Sequence, residues 1–260
     1  MSLRLVTLAA ATTLAVQPAQ AEVSATLGLF SDYDFRGVSQ TEGDPAVQGS
    51  IDYAGSLFYI GAWASNVDFG SIDGGEGESI KIDGNIELDV YVGLAQEYEN
   101  SWRWDVGGVW YIYPGSQNSD NEIETPDYLE IYAGGGWGPV DIKYWYSPDL
   151  YDSGETASYF EVNAGFDLPW ELGIGLHAGY NFGDYFDVLS DVSDEFGNGD
   201  DADYIDYSLA LTRSFGHFDF EVKYVATDAD GDFEIDSGAF RNDERVILSV
   251  STTWPWSEGE

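Results

Sequence analysis

Strict alternation of apolar and polar residues is the feature of this sequence that most limits its fold. In "NIELDVYVGLAQEY", apolar side chains recur at every second position from Ile86 to Leu94, and Glu87 and Asp89 fall between them. Successive side chains of a strand point to opposite faces, so this period predicts a strand with one apolar and one polar face. We find the pattern in nine segments from residue 86 onward and near 22–35, 45–54 and 57–67, which predicts about twelve strands. Only in 57–67 are both faces too apolar for an outward side to be assigned.

The connections between these strands alternate between short and long. The short ones are residues 55–56, 96–101, 138–139, 169–171 and 216, and the long ones are roughly 36–44, 68–84, 114–127, 147–156, 183–203 and 228–244. Trp and Tyr gather near the strand ends, as in the aromatic girdles of membrane barrels. We therefore predict an all-β fold: a transmembrane antiparallel up-and-down β-barrel of about twelve strands, with short periplasmic turns and long acidic external loops. A water-soluble β-sandwich with an aromatic core is the alternative, but it gives no reason for alternating connections.

The N-terminal residues predict export. Arg4 precedes an apolar run from Leu5 to Val16, and the run ends in the small-x-small sequence Ala19-Gln20-Ala21. This pattern is typical of a secretory signal peptide, so we expect residues 1–21 to be cleaved and residues 22–260 to form a single outer-membrane barrel domain. Past residue 21 no window approaches 18 consecutive apolar residues, so a membrane protein of this sequence must cross with strands. The predicted location is the cell outer membrane.

The charge balance excludes some functions. Lys and Arg number 9 against 48 Asp and Glu, a net charge of −39, which excludes nucleic acid as a partner because phosphate binding needs clustered basic residues. Aromatic residues make up 16% of the chain, too many for a disordered one. Without cysteine, neither disulfides nor thiolate chemistry can contribute.

Many charges fall on the polar face of the predicted strands, which would line the lumen of a barrel. These predicted lumen residues are Asp52, Glu87, Asp89, Arg103, Asp105, Glu130, Asp141, Lys143, Glu161, Asp206, Asp219, Glu221 and Lys223. Their acidic excess predicts a partly paired, net-negative lumen that concentrates cations. In the alternative interpretation, acids and bases pair across neighbouring strands and plug a narrow barrel.

Catalytic and metal-binding patterns are weak. "DADGDFE" from Asp228 resembles a calcium loop, but Phe233 stands where the sixth position needs Gly and no Glu stands at the twelfth, so only loose divalent binding by acidic loops is expected. A serine hydrolase needs a serine beside a histidine, and we expect neither His177 nor His217 to have one at matching height, although Ser208 shares a polar face with Asp206. We predict no catalytic residues, no metal and no cofactor.

Five stretches resemble one family of proteobacterial proteins, the TorF-type porins. They are "SDYDFRGVSQTEGDPAVQGSIDYAG" (31–55), "FYIGAWASNVDFG" (58–70), "ELDVYVGLA" (87–95), "VWYIYPG" (109–115) and "ERVILSVS" (244–251). The resemblance covers most of the chain after residue 21 and implies an outer-membrane β-barrel porin without a defined substrate. The ending "STTWPWSEGE" departs from the usual final aromatic residue of such barrels, so we expect either an internal assembly signal at Trp254 or an extended end.

These observations predict a porin that passes small solutes passively and favours cations. Its partners would be outer-membrane lipid and lipopolysaccharide, with divalent cations as bridges, and the outer-membrane assembly machinery. The alternatives are a non-conducting barrel whose acidic loops serve binding or adhesion, and an outer-membrane lipid hydrolase. Within the first resembling stretch, we expect an external loop centred on residues 37–44, with Tyr33 and Phe35 near the outer interface and Arg36 beside a nearby acid.

Overall fold

Twelve antiparallel strands form a closed barrel in the computed structural model, as predicted. The structure describes residues 22–75, 78–117, 122–196, 202–229, 233, 235 and 238–256, so the predicted signal peptide lies outside the described residues. The barrel strands are β1 (Glu22–Phe30), β4 (Ala46–Ala54), β5 (Phe58–Asn66), β8 (Ile86–Glu97), β9 (Trp102–Ile112), β11 (Tyr128–Trp137), β12 (Val140–Ser147), β13 (Ala157–Leu168), β14 (Leu172–Phe182), β15 (Tyr204–Phe215), β16 (Phe218–Thr227) and β17 (Arg245–Trp254).

The first and last strands close the barrel. Gly28 of β1 is the register partner of Gln48 on β4 and of Ser251 on β17, and every other strand pairs with its neighbours along the chain. Closure leaves no edge strand whose backbone groups lack hydrogen-bond partners.

The outer face of the barrel is apolar and the inner face is polar, as the alternation predicts. On β8, Val90, Val92 and Leu94 are exposed on the outside, whereas Glu87 and Tyr91 are buried inside. The nine residues from Ile86 to Leu94, five of which face outward, span about 27 Å, or about 21 Å across a membrane at a tilt of about 40°, which is close to an apolar band of about 25 Å. The structure also shows which face of β5 points outward: Phe58 and Ile60 face out, and Tyr59 and Ser65 face in.

The long connections all leave from one end of the barrel, the loop end, and the tight turns lie at the other, the turn end. Five of the long connections hold short strands, a helix or a 3-10 turn that the alternation did not predict. Strands β6 (Ser71–Gly75), β7 (Glu78–Asp83) and β10 (Glu122–Glu124), from two of these connections, form a separate three-stranded sheet. Such short strands are missed by sequence patterns because they lack a long period of two.

The connection 183–203, which we expected to be a long acidic loop, contains a helix, α1 (Asp184–Phe196). Tyr185, Phe186 and Leu189 are half-buried at helical spacing, and Asp184 and Asp187 occupy the first turn, where carboxylates favour a helix. The acidic composition concealed this short amphipathic pattern. Across the described residues, no helix is long and apolar enough to cross a membrane.

Inward-facing glycines make room for buried tyrosines on neighbouring strands. Tyr91 lies opposite Gly61 and Tyr59 lies opposite Gly93, and a Cβ on either glycine would meet the tyrosine ring. The Tyr59 hydroxyl donates to Asp105 at 2.6 Å, and the Tyr91 hydroxyl donates to Asp52. The glycines therefore allow aromatic rings to lie flat against the inner wall while their hydroxyls reach carboxylates.

The described part of the C-terminal sequence, up to Trp256, packs against the turn end of the barrel. Trp254 ends β17 and Trp256 stacks on the His217 ring at 4.8 Å between ring centroids. The Trp256 indole also donates to the Thr252 hydroxyl at 3.0 Å. His217 lies in a tight turn, and these contacts hold the first residues beyond the barrel against the turn end.

Candidate functional site

The connection after β1 enters the barrel and is the main feature of its interior. We call residues 31–44 the inserted segment; it contains the two short strands β2 (Asp34–Phe35) and β3 (Val38–Ser39). Our expectation that Tyr33 and Phe35 lie near the outer interface is wrong. Tyr33 is buried against Trp63, and Phe35 packs edge-on against Tyr111, so both rings lie on the polar inner side of the wall.

One end of the inserted segment is bound to the last two barrel strands. The Arg245 guanidinium donates to Asp32 Oδ2 at 2.7 Å and to Asp34 Oδ1 at 2.6 Å, and it also donates to the Gly37 carbonyl at 2.8 Å. Lys223 Nζ donates to Asp34 Oδ2 at 3.1 Å. Two basic side chains of the wall thus hold two carboxylates of the segment.

Arg36 reaches other strands of the wall from the middle of the segment. Its Nη1 and Nη2 donate to Glu130 Oε1 and Oε2 at 2.9 and 2.7 Å, a bidentate pair. The guanidinium carbon lies 4.2 Å from the Tyr159 ring centroid and 5.8 Å from that of Trp145. Tyr204 donates to the Arg36 carbonyl at 3.1 Å, so the segment crosses the interior and contacts strands on several sides.

A chain of aromatic rings joins the inserted segment to two other connections. Beyond the contact of Phe35 with Tyr111, each ring contacts the next through Tyr128, Tyr151 and Tyr185 to Phe186, at centroid distances between 4.5 and 6.1 Å. Tyr151 belongs to the 3-10 turn Leu150–Asp152, and Tyr185 and Phe186 belong to helix α1. The position of the segment is therefore tied by packing to the loop end.

The buried environment shifts the pKa values of the segment. Burial alone would raise the pKa of Asp34, but Lys223 and Arg245 outweigh it and lower the pKa from its ordinary value. Burial would lower the pKa of Arg36, but Glu130 outweighs that effect and raises it. Burial, with Glu87 and Asp89 nearby, raises the pKa of Tyr33 well above its ordinary value. The carboxylate and the guanidinium are thus held charged, and Tyr33 stays a neutral donor to Glu87 at 2.7 Å.

The predicted lumen residues lie on the inner face, and the structure brings several together in pairs. Ion pairs join Arg103 to Asp141 at 2.5 Å and Lys143 to Asp105 at 2.8 Å, in addition to the pairs that Glu130 and Lys223 make with the segment. Buried are Asp52, Glu87, Glu130, Lys143, Glu161, Asp206 and Lys223; half-buried are Asp89, Arg103, Asp105, Asp141 and Glu221; Asp219 is exposed at the turn end. Whether they line an open pore remains a prediction.

Four charged residues of the interior were missed in the lumen set: Asp32, Asp34, Arg36 and Arg245. Arg245 follows the alternation of β17 and could have been found by extending that face to the first strand residue. Asp32, Asp34 and Arg36 belong to a connection, where no period indicates which way the chain turns. Their location depends on ion pairs with residues about 90 to 210 positions away.

Not all interior carboxylates have basic partners. In the part of the chain that the structure describes, no ion pair joins Asp52, Glu87 or Asp89 to a basic side chain. Tyrosine hydroxyls donate to Asp52 and Glu87, and Asp89 Oδ1 is buried with no hydrogen-bond partner among the described residues. The interior is therefore only partly paired, and some of its carboxyl groups have no basic partner.

His177 lies at matching height with Ser208, contrary to our expectation, because β14 and β15 pair them directly. Its ring nitrogens are nevertheless engaged elsewhere: Nδ1 is 2.7 Å from Asn163 Oδ1, and Nε2 is 2.8 Å from Asp206 Oδ1. A histidine held in this way has no nitrogen free to accept a serine proton, which argues against a serine hydrolase. Within the described ranges, no three acidic or histidine side chains are grouped to hold a metal; most of "DADGDFE" lies outside them.

Comparison with known proteins identifies a family and several barrels of similar fold. The model of a bacterial protein family of unknown function, Gcw_chp, matches residues 15–254, and the TorF-type name is not confirmed. No curated protein matches the chain.

Similar solved structures include two porins and a channel. The KdgM porin in complex with disordered oligogalacturonate is 8% identical, with 89% of this chain and 98% of that chain covered and a TM-score of 0.49. The NanC porin is 9% identical, with 89% and 98% covered and a TM-score of 0.49. The outer membrane channel DcaP of Acinetobacter baumannii is 10% identical, with 90% and 98% covered and a TM-score of 0.38. Such low identities leave function to be argued from the residues of this chain.

Proposed function

The chain belongs to the bacterial family Gcw_chp, for which no function is known, and we propose that it is an outer-membrane porin for small solutes. One observation carries this proposal: a closed barrel is apolar on its outer face, while its interior is filled with charged, hydrogen-bonded side chains. A water-soluble protein buries its apolar residues and exposes its charges, so the reversed arrangement fits a bilayer around an aqueous interior.

In this proposal, the inserted segment is the constriction of the channel. It crosses the interior between Arg245 on one side and Glu130 on another, and it would leave solutes only the space around it. Asp52, Glu87 and Asp89 lack basic partners, and in their ionised form they would favour cations. Cation preference therefore rests on a few residues beside the segment and not on the overall charge of the chain.

A second candidate is a barrel that does not conduct and acts through its acidic external loops. The dense packing of Tyr33, Tyr59, Tyr91 and Tyr111 inside the wall favours it, because these rings occupy space that a solute would need. Binding or adhesion would then depend on the loop end. We further propose that the signal peptide is cleaved, that the assembly machinery inserts the barrel, and that divalent cations link its loops to lipopolysaccharide.

Reconstitution into a planar lipid bilayer separates these candidates. A porin gives discrete conductance steps. In a KCl gradient, a cation-preferring porin gives a reversal potential whose sign shows that K⁺ permeates better than Cl⁻. A variant with Arg36→Ala and Arg245→Ala, which removes the attachments of the segment on both sides, should conduct more than the unchanged protein. Silence of both proteins, each shown to be folded by heat-dependent gel mobility, would favour the non-conducting barrel.

A further inference from the structure

The site that holds Arg36 is built almost entirely by the barrel wall. Glu130 comes from β11, Tyr111 from β9, Trp145 from β12 and Tyr159 from β13. We call these four residues the wall site. The inserted segment contributes the occupant, Arg36, and the Phe35 ring, which lies 4.8 Å from the guanidinium carbon. The wall site thus belongs to strands that the barrel hydrogen bonds would position without the segment.

The chemistry of the wall site matches a guanidinium group. Both Glu130 oxygens accept, at 2.9 and 2.7 Å, from two nitrogens of the planar fork, a geometry that the single point charge of an ammonium cannot reproduce. Tyr111 donates to Glu130 Oε2 at 3.0 Å and fixes the carboxylate. The rings of Tyr159 and Trp145 lie within cation–π distance of the guanidinium carbon. Glu130 is 1% exposed, so water competes little.

The backbone of Arg36 is unfavourable for the residue that occupies this site. Its φ of 51° lies in the left-handed region, which non-glycine residues rarely adopt, and Gly37 follows at 84°. A free guanidinium cation has no such backbone to accommodate. It would nevertheless have to displace the Arg36 side chain, which the segment holds beside the wall site at high effective concentration.

We propose that the wall site is a binding site for guanidinium-bearing solutes and that Arg36 occupies it as a built-in competitor. This inference deepens the proposed function, and it rests on that function in treating the bound cation as a transported solute. A guanidinium compound that displaces Arg36 would loosen the constriction through which it passes. The site itself requires only the barrel.

Calorimetric titration with methylguanidinium at millimolar concentration tests the site on the full chain in detergent. The Arg36→Ala variant should bind it at least tenfold more tightly than the unchanged protein does and at least tenfold more tightly than methylammonium. Adding Glu130→Gln to that variant should abolish the binding. Equal, weak binding of both cations by all three proteins would overturn the proposal and leave the pair of Arg36 with Glu130 as a structural contact.

A second variant and a second measurement keep the result decisive. If Arg36→Ala does not fold, Arg36→Gln replaces it, since it keeps a polar side chain of similar length without the charge. In a bilayer, methylguanidinium should reduce the conductance of the Arg36 variant by refilling the site, and methylammonium should not. Binding without any conductance would refute the porin function but not the site, whereas conductance without binding would refute the site alone.

Discussion

The guanidinium of Arg245, the first residue of the last barrel strand, donates to Asp32 at the start of the inserted segment across 2.7 Å. Both side chains are 6% exposed. This pair joins the two ends of the barrel sequence, because Arg245 begins the last strand and Asp32 lies in the segment that follows the first strand. It also decides that the segment lies inside the barrel, since a connection so anchored cannot extend into solvent.

Removing Arg245 should destabilise the protein strongly. Arg245→Ala would leave Asp32 buried without its cation, and the loss of one partner of a buried pair typically costs about 3–5 kcal/mol. The measurement is urea unfolding in detergent, followed by tryptophan fluorescence. Arg103→Ala is the matched control: its pair with Asp141 at the turn end is partly exposed and should cost about 1 kcal/mol. Equal losses in the two variants would contradict the anchoring role of Arg245.

Cation preference should depend on the interior acids that lack basic partners. We expect Glu87→Gln with Asp89→Asn to lower the permeability ratio of K⁺ to Cl⁻, measured as the reversal potential in a KCl gradient. Asp184→Asn with Asp187→Asn, in helix α1 at the loop end, removes the same charge and is the control. Screening over about 8 Å at physiological salt should leave that variant unchanged. A larger shift in the control would place selectivity in the loops.

Acid should release the inserted segment only at low pH. Lys223 and Arg245 hold the pKa of Asp34 below its ordinary 3.8, so the stabilisation by this carboxylate is complete above that value and is lost as the pH falls through the lower folded value. Lys223, Arg245 and His177 are the basic groups near Asp34. The part of the conductance change that belongs to Asp34 should therefore be a rise below about pH 4. In Asp34→Asn this step should be reduced; an unchanged step would assign it to other acids.

The glycines beneath the tyrosine rings should not tolerate a side chain. Gly61→Ala places a Cβ into the Tyr91 ring, and overpacking of this kind typically costs about 1–3 kcal/mol. Gly165→Ala is the control, because a Cβ there meets no atom within 4 Å and its backbone is not left-handed. Thermal unfolding in detergent should show a lower midpoint temperature for Gly61→Ala and an unchanged midpoint temperature for Gly165→Ala. Equal midpoints would mean that the Tyr91 ring moves freely.

The barrel could be predicted because its sequence signals, residue alternation and connection length, are local. Alternation over β8 predicted its two faces correctly, and the regular change between short turns and long connections predicted the arrangement of the ends. Both signals are local, because side-chain direction follows from the extended backbone and connection length from the distance between strand ends. Helix α1 was missed because its few apolar residues are dispersed among acids.

The amino-acid sequence by itself determined the closed twelve-stranded barrel and the acidic character of its inner face. Only the tertiary structure decided which of those acids are neutralised, since Arg36 and Arg245 reach Glu130 and Asp32 across 94 and 213 positions of the chain. The direction of a connection has no periodic signal. It depends on the free energy of pairing charges in a low-dielectric interior, which exists only after the strands have closed around it.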